Sequence, residues 1–169
     1  QTLGLFAAGI VGLAAFIGWE RRTPEPMLDV NIFRNLRFSA ASLSVTVAFF
    51  ALAGFIFLIT QYFQFLKGYG PLETGFRLLP VATSVAISSI VGTQLAGRYG
   101  TKFIVGGGLV TLSVAYGWVS TSGVDTSYLE IACQMILLGT GMGLTSAPAT
   151  ESIMGAVSNA KAGIGSAVN

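Results

Sequence analysis

Four side chains able to exchange hydrogen bonds with a solute lie inside apolar stretches of this sequence: Gln61, Gln64, Gln134 and Thr145. An amide offers donors and an acceptor, and a hydroxyl offers both in one atom. Each could therefore meet the polar groups of a ligand without carrying charge. Polar groups in a lipid-like setting are costly unless they face protein or a water-filled cavity. Ser42, Thr46, Ala53, Thr60 and Gln64 recur at spacings of four and seven, which puts them near one helical face, with Gln61 beside it. Gln134, Gly141 and Thr145 share a face further along. Two chemistries fit both sets: lining a cavity, or tying helix to helix.

Few other residues could do chemistry. The chain has no His, which excludes His proton relays, Ser-His catalysis and His metal ligands. Cys133 is alone, so no internal disulfide or thiolate cluster can form, and it reads as a small apolar filler. No metal or cofactor is expected, and an enzyme is not expected either. Glu130 and Glu151 fall at opposite ends of one apolar stretch and read as interfacial residues, and Arg77 should snorkel outward from the start of another. The net charge of +2 is small and scattered, which argues against nucleic acid as a partner.

These residues need apolar elements to position them. The composition is 53% hydrophobic and 9% charged, against about 25% charged in a soluble domain. Residues 39–66 contain no Asp, Glu, Lys or Arg. About 20 apolar residues in a helix cross a bilayer core. Apolar runs at 2–19, 40–65, 76–96, 103–120 and 128–149 therefore predict an all-α polytopic membrane protein with about five transmembrane helices. The runs are too continuous for the alternating strands of a barrel. Residues 1–19 are read as one transmembrane helix, 20–37 as a connector broken by Pro24 and Pro26, 38–154 as four transmembrane helices, and 155–169 as a loop leading into a further helix. No basic region precedes the first run and no initiator Met is present, so a fragment of a longer protein is expected.

Loop cations give the orientation. Arg21, Arg22, Arg34, Arg37, Arg98, Lys102 and Lys161 fall on one side, and Lys67 and Arg77 on the other. The positive-inside rule makes the first side, with the connector, the 97–102 loop and the 155–169 loop, cytoplasmic. Two stripes of small residues at i+4 spacing, Ser84-Ser88-Gly92-Ala96 and Gly139-Gly143-Ala147, should let helix backbones approach closely, and Pro148 should bend the last helix.

One stretch carries a family likeness. Gln61-Tyr62-Phe63-Gln64-Phe65-Leu66-Lys67-Gly68-Tyr69-Gly70-Pro71-Leu72-Glu73-Thr74-Gly75, ending at Leu79-Pro80, resembles the span–loop–span of the EmrB/QacA-type, fourteen-helix drug:proton antiporters of the major facilitator superfamily. The connector from Pro26 to Asn35 and the run from Gly139 to Pro148 are similar to the same branch. The loop Gly97-Arg98-Tyr99-Gly100-Thr101-Lys102 resembles the cytoplasmic-loop motif of the superfamily, with Arg98, Gly100 and Lys102 in place and Gly97 where an Asp is usual.

The resemblance implies a C-terminal-half fragment of a proton-coupled exporter of drugs or other small molecules, working by alternating access in the cell membrane. The first span would precede the C-terminal bundle, and the next four would begin it. The partners implied are the lipid bilayer, a small-molecule substrate, protons and the missing N-terminal bundle. A non-transporting membrane scaffold is the alternative.

Overall fold

A computed structural model describes residues 2–20 and 35–155. The connector and the tail after Gly155 fall outside the described residues, apart from their first or last positions. The elements are α1 (Thr2–Glu20), α2 (Leu36–Gln61) running on into a π-turn (Tyr62–Leu66), α3 (Pro71–Arg77), α4 (Leu79–Tyr99), α5 (Thr101–Val119) and α6 (Tyr128–Gly155). No strand occurs among the described residues.

Among the described residues, four segments are long and apolar enough to cross a membrane: Phe38–Leu66, Pro71–Tyr99, Thr101–Val119 and Tyr128–Gly155. The chain is a multi-pass membrane protein. Helix α1 is 19 residues long, about 28 Å at the helical rise. Its described apolar side chains, such as Ile10, Val11 and Trp19, are exposed.

Helix α6 is the centre, packed by α4, α5 and α2. Small residues explain why. Successive residues turn by about 100°, so Gly139 and Gly143 share one side of α6 while Gly141 points to the opposite one. A Cβ on Gly143 would lie 2.7 Å from Val85 O and Ser89 N, and one on Gly139 would lie 2.7 Å from Val81 O. That side meets α4. A Cβ on Gly141 would lie 2.7 Å from Leu112 N and 2.9 Å from Gly108 O, and Gly108 has its own close neighbour in the Gly141 carbonyl. That side meets α5. Two opposed glycine faces thus let α6 touch two helix backbones at once. Ser84, Ser88, Gly92 and Ala96 are all buried on α4, and Ser88 Oγ donates across the seam to Gly139 O at 3.1 Å. Pro148 is buried within α6, which continues past it to Gly155. One apolar cluster, including Phe55, Phe63, Leu112, Met135 and Met142, fills the π-turn half of the bundle, and a smaller one around Phe38, Val45, Val105, Ala149 and Ile153 fills the other.

Three boundaries differ from the sequence reading. The 97–102 loop shrinks to a corner of one residue. Helix α4 runs through Gly97 to Tyr99, α5 starts at Thr101, and Gly100 alone turns the chain at φ 92° and ψ 140°. Glycine takes that conformation without the steric penalty other residues meet, so no longer loop is needed. The third span starts early. Pro71 opens α3, and Leu78 breaks the helix before Pro80, whose missing N–H is harmless at a helix start. The last helix passes Ala149, so Glu151 lies inside α6, exposed, and not beyond its end. Cys133 is likewise exposed on α6 and does not fill the core.

Candidate substrate groove

The polar stripe of α2 keeps helical geometry by bonding to itself. Ser44 donates to Ala40 O at 2.7 Å, Thr46 to Ser42 O at 2.9 Å and Thr60 to Ile56 O at 2.6 Å. Such back-bonding one turn earlier satisfies a hydroxyl in apolar surroundings. The outer part of that face is a shallow, open groove of about 740 Å³, lined by α2 and its π-turn alone. Phe49, Phe57 and Phe65 give it aromatic walls, and Thr60, Gln61 and Gln64 give it polar ones. No charged side chain lines it. Neither glutamine amide bonds to another described residue, while the Ser44, Thr46 and Thr60 hydroxyls are satisfied and the buried Ser42 hydroxyl has no partner. Gln61 and Gln64 therefore share one groove, and their donors and acceptors are free to meet a solute.

Gln134 and Thr145 lie elsewhere. Gln134 is 2% exposed and exchanges hydrogen bonds with Ser122, Nε2 donating to Oγ at 2.8 Å. Thr145 is fully buried and donates to Gly141 O at 2.8 Å, in the seam where Gly108 passes. Gln134 thus ties α6 to the α5–α6 loop, and Thr145 faces α5; neither lines the groove that holds Gln61 and Gln64. The missed signal was Gly108 itself. A small residue in the middle of α5 marks the site where α6 could close on it.

A polar corner frames the groove at the π-turn end. The wide turn closes with Lys67 N–H on Tyr62 O at 3.1 Å, and Gly68, at φ 71°, lets Tyr69 N–H reach back to Phe63 O at 3.0 Å. Phe63 is 1% exposed and packs its ring against Tyr62, Tyr69 and Tyr128. Tyr62 Oη reaches Gly123 O and Val124 O at 3.2 and 3.1 Å, so the end of α2 is tied to the α5–α6 loop.

Arg77 does not simply snorkel outward. Its guanidinium sits 4.0 Å from the centre of the Tyr69 ring and 4.7 Å from that of Tyr128, while Nη2 and Nε donate to Glu73 Oε1 at 2.8 and 3.1 Å. A planar cation both stacks on rings and forks to a carboxylate, and so an interfacial arginine is held sideways here. Tyr128 completes the ring of contacts by donating to Arg77 O at 3.3 Å.

Among the described residues no group of His, Cys, Asp or Glu could hold a metal ion. The site can bind by shape, ring contact and neutral hydrogen bonds.

Comparison with known proteins gives this architecture its place. The model of the Major Facilitator Superfamily matches residues 2–169. Multidrug resistance protein Stp of Mycobacterium tuberculosis is 33% identical over 168 residues, covering 99% of this chain and 31% of that protein. Multidrug efflux pump LfrA of Mycolicibacterium smegmatis is 30% identical, with 97% of this chain and 32% of that protein covered. The tetracenomycin C resistance and export protein of Streptomyces glaucescens is 32% identical, at 96% and 30%. The chain spans about a third of the length of these curated relatives. With the family model matching residues 2–169 of this bundle of apolar helices, this chain belongs to the major facilitator superfamily.

Proposed function

We propose that this chain is the part of a secondary exporter of drugs or other small molecules that begins its C-terminal bundle. It works with an N-terminal bundle in alternating access, and protons drive export. It is a transporter and not an enzyme. The observation that carries the reading is the charge-free groove on α2, where two unpaired amides stand among aromatic rings. Such a wall suits chemically varied apolar solutes, because ring contacts are forgiving and amides accept either polarity of hydrogen bond. The names of the relatives, a multidrug efflux pump and a tetracenomycin C export protein among them, support the same reading.

Gln64→Ala in the full-length transporter tests the groove. Loss of one neutral hydrogen bond is worth about two- to tenfold in affinity. The expected result is a change of that size in efflux of some compounds and none in others, at constant folded protein. A uniform fall that tracks protein amount would mean that Gln64 serves folding only.

The cation bias supports a cytoplasmic Gly100 corner and an external α5–α6 loop. Gly97 and Val124 are exposed at these two ends. In a Cys133→Ala background, an impermeant thiol reagent applied to intact cells should label Val124→Cys and spare Gly97→Cys. The reverse pattern would invert the orientation.

A further inference from the structure

A second cavity lies at the opposite end of the bundle from the polar corner. It runs between the first turns of α2 and α5 and holds about 680 Å³. Its walls are mostly apolar, with Leu36, Ala40, Val105 and Leu109 among them beside Ser44 and Ser152, and Lys102 and Thr101 line it at the start of α5. From Thr101 to Leu109 the groove extends about 12 Å into the apolar zone at the helical rise. Lys102 is exposed and forms no ion pair among the described residues. The other charged side chains described at this end, Arg98 and Glu151, are exposed and do not line the cavity. Polarity thus changes along one axis, from an apolar slot to a cationic rim.

We infer that this cavity binds an anionic phospholipid, with an acyl chain in the slot between α2 and α5 and the phosphate on Lys102 and Thr101. Three features select this occupant. The slot offers apolar walls where a hydrocarbon chain loses nothing by leaving the bilayer. The rim offers a free ammonium and a hydroxyl donor at the depth of a headgroup. Its charge is complementary to acidic lipid, for which each nearby Lys or Arg raises affinity about fivefold. Gly106 leaves the wall open, because nothing lies within 4 Å of where its Cβ would be. The site is independent of the substrate groove, which lies on the outer half of α2 and shares no lining residue with it.

The test uses the full-length protein in nanodiscs of phosphatidylcholine and phosphatidylglycerol in equal parts. Benzoylphenylalanine placed at Gly106 is photo-activated and the adducts are read by mass spectrometry. The expected product is a phosphatidylglycerol adduct in excess over phosphatidylcholine, with the excess reduced about fivefold by Lys102→Gln. Three results would overturn the inference. One is a cross-link to another segment of the same protein, which would mean that a helix fills the slot. The others are an adduct with no lipid preference and a preference that Lys102→Gln leaves unchanged. Lys102 is exposed, and the unfolding midpoint of Lys102→Gln is read alongside to check that the fold is kept.

Discussion

Alanine at Gly143 is expected to lower the thermal midpoint of the purified protein, and alanine at Gly54 to raise it. Both glycines are inside helices, where alanine gains about 1 kcal/mol in propensity. Their surroundings differ. Nothing lies within 4 Å of a Cβ on Gly54, so the gain there stands alone. A Cβ on Gly143 would meet Val85 O and Ser89 N at 2.7 Å. Those are backbone atoms of α4, which cannot turn aside like a side chain. Overpacking of this kind costs about 1–3 kcal/mol, enough to outweigh the propensity gain. Gly143→Leu should cost more, since a whole side chain must fit a seam with no room for one carbon. Fluorescence-detected unfolding in one detergent would read all three variants. Equal midpoints for Gly143→Ala and Gly54→Ala would mean that α4 and α6 do not approach through this stripe.

Arg77→Ala is expected to loosen the π-turn end of the bundle and lower the unfolding midpoint. The guanidinium makes two ring contacts and one ion pair, and all three go with the side chain. Arg77→Lys should recover less than half of the loss, because an ammonium cannot stack flat on Tyr69 while forking to Glu73. Hydrogen exchange should localise the change to α3 and to the start of α6, where Tyr128 bonds to Arg77 O. An Arg77→Lys protein as stable as the parent would show that charge alone, without the planar stack, holds the corner.

The elements were largely legible in the sequence because lipid imposes one strong rule. Every long charge-free run became a helix, and the Gly139–Gly143 and Ser84–Ser88 stripes became a seam between helices. What the sequence left open depended on details smaller than a run. A corner made by Gly100 alone depends on one positive φ, whereas the pair Gly97 and Gly100 suggested a longer loop. Gly141 and Thr145 looked alike from either reading, since a small polar face suits a cavity or a neighbour equally. The approach of Gly108 on α5 to both of them depends on the fold and has no counterpart in the spacing. The Arg77 corner was hidden for a different reason. Its partners Tyr69, Glu73 and Tyr128 come from three segments, and no periodicity links Tyr128 to residues some fifty positions earlier. Gln61 and Gln64 were visible as polar interruptions, but their shared groove depends on the rings of Phe49, Phe57 and Phe65, which look like any lipid-facing residues in a linear reading.

Coupled export is most directly tested in proteoliposomes containing the full-length protein. Vesicles are loaded at acidic pH, diluted into neutral buffer with a fluorescent apolar drug, and followed over time. The account predicts that drug accumulates against its gradient inside vesicles whose transporter faces inside out. Accumulation should collapse when an ionophore dissipates the proton gradient, and Gln64→Ala should alter its dependence on the drug used. Accumulation that survives collapse of the proton gradient, or no movement of any drug by folded protein, would contradict it.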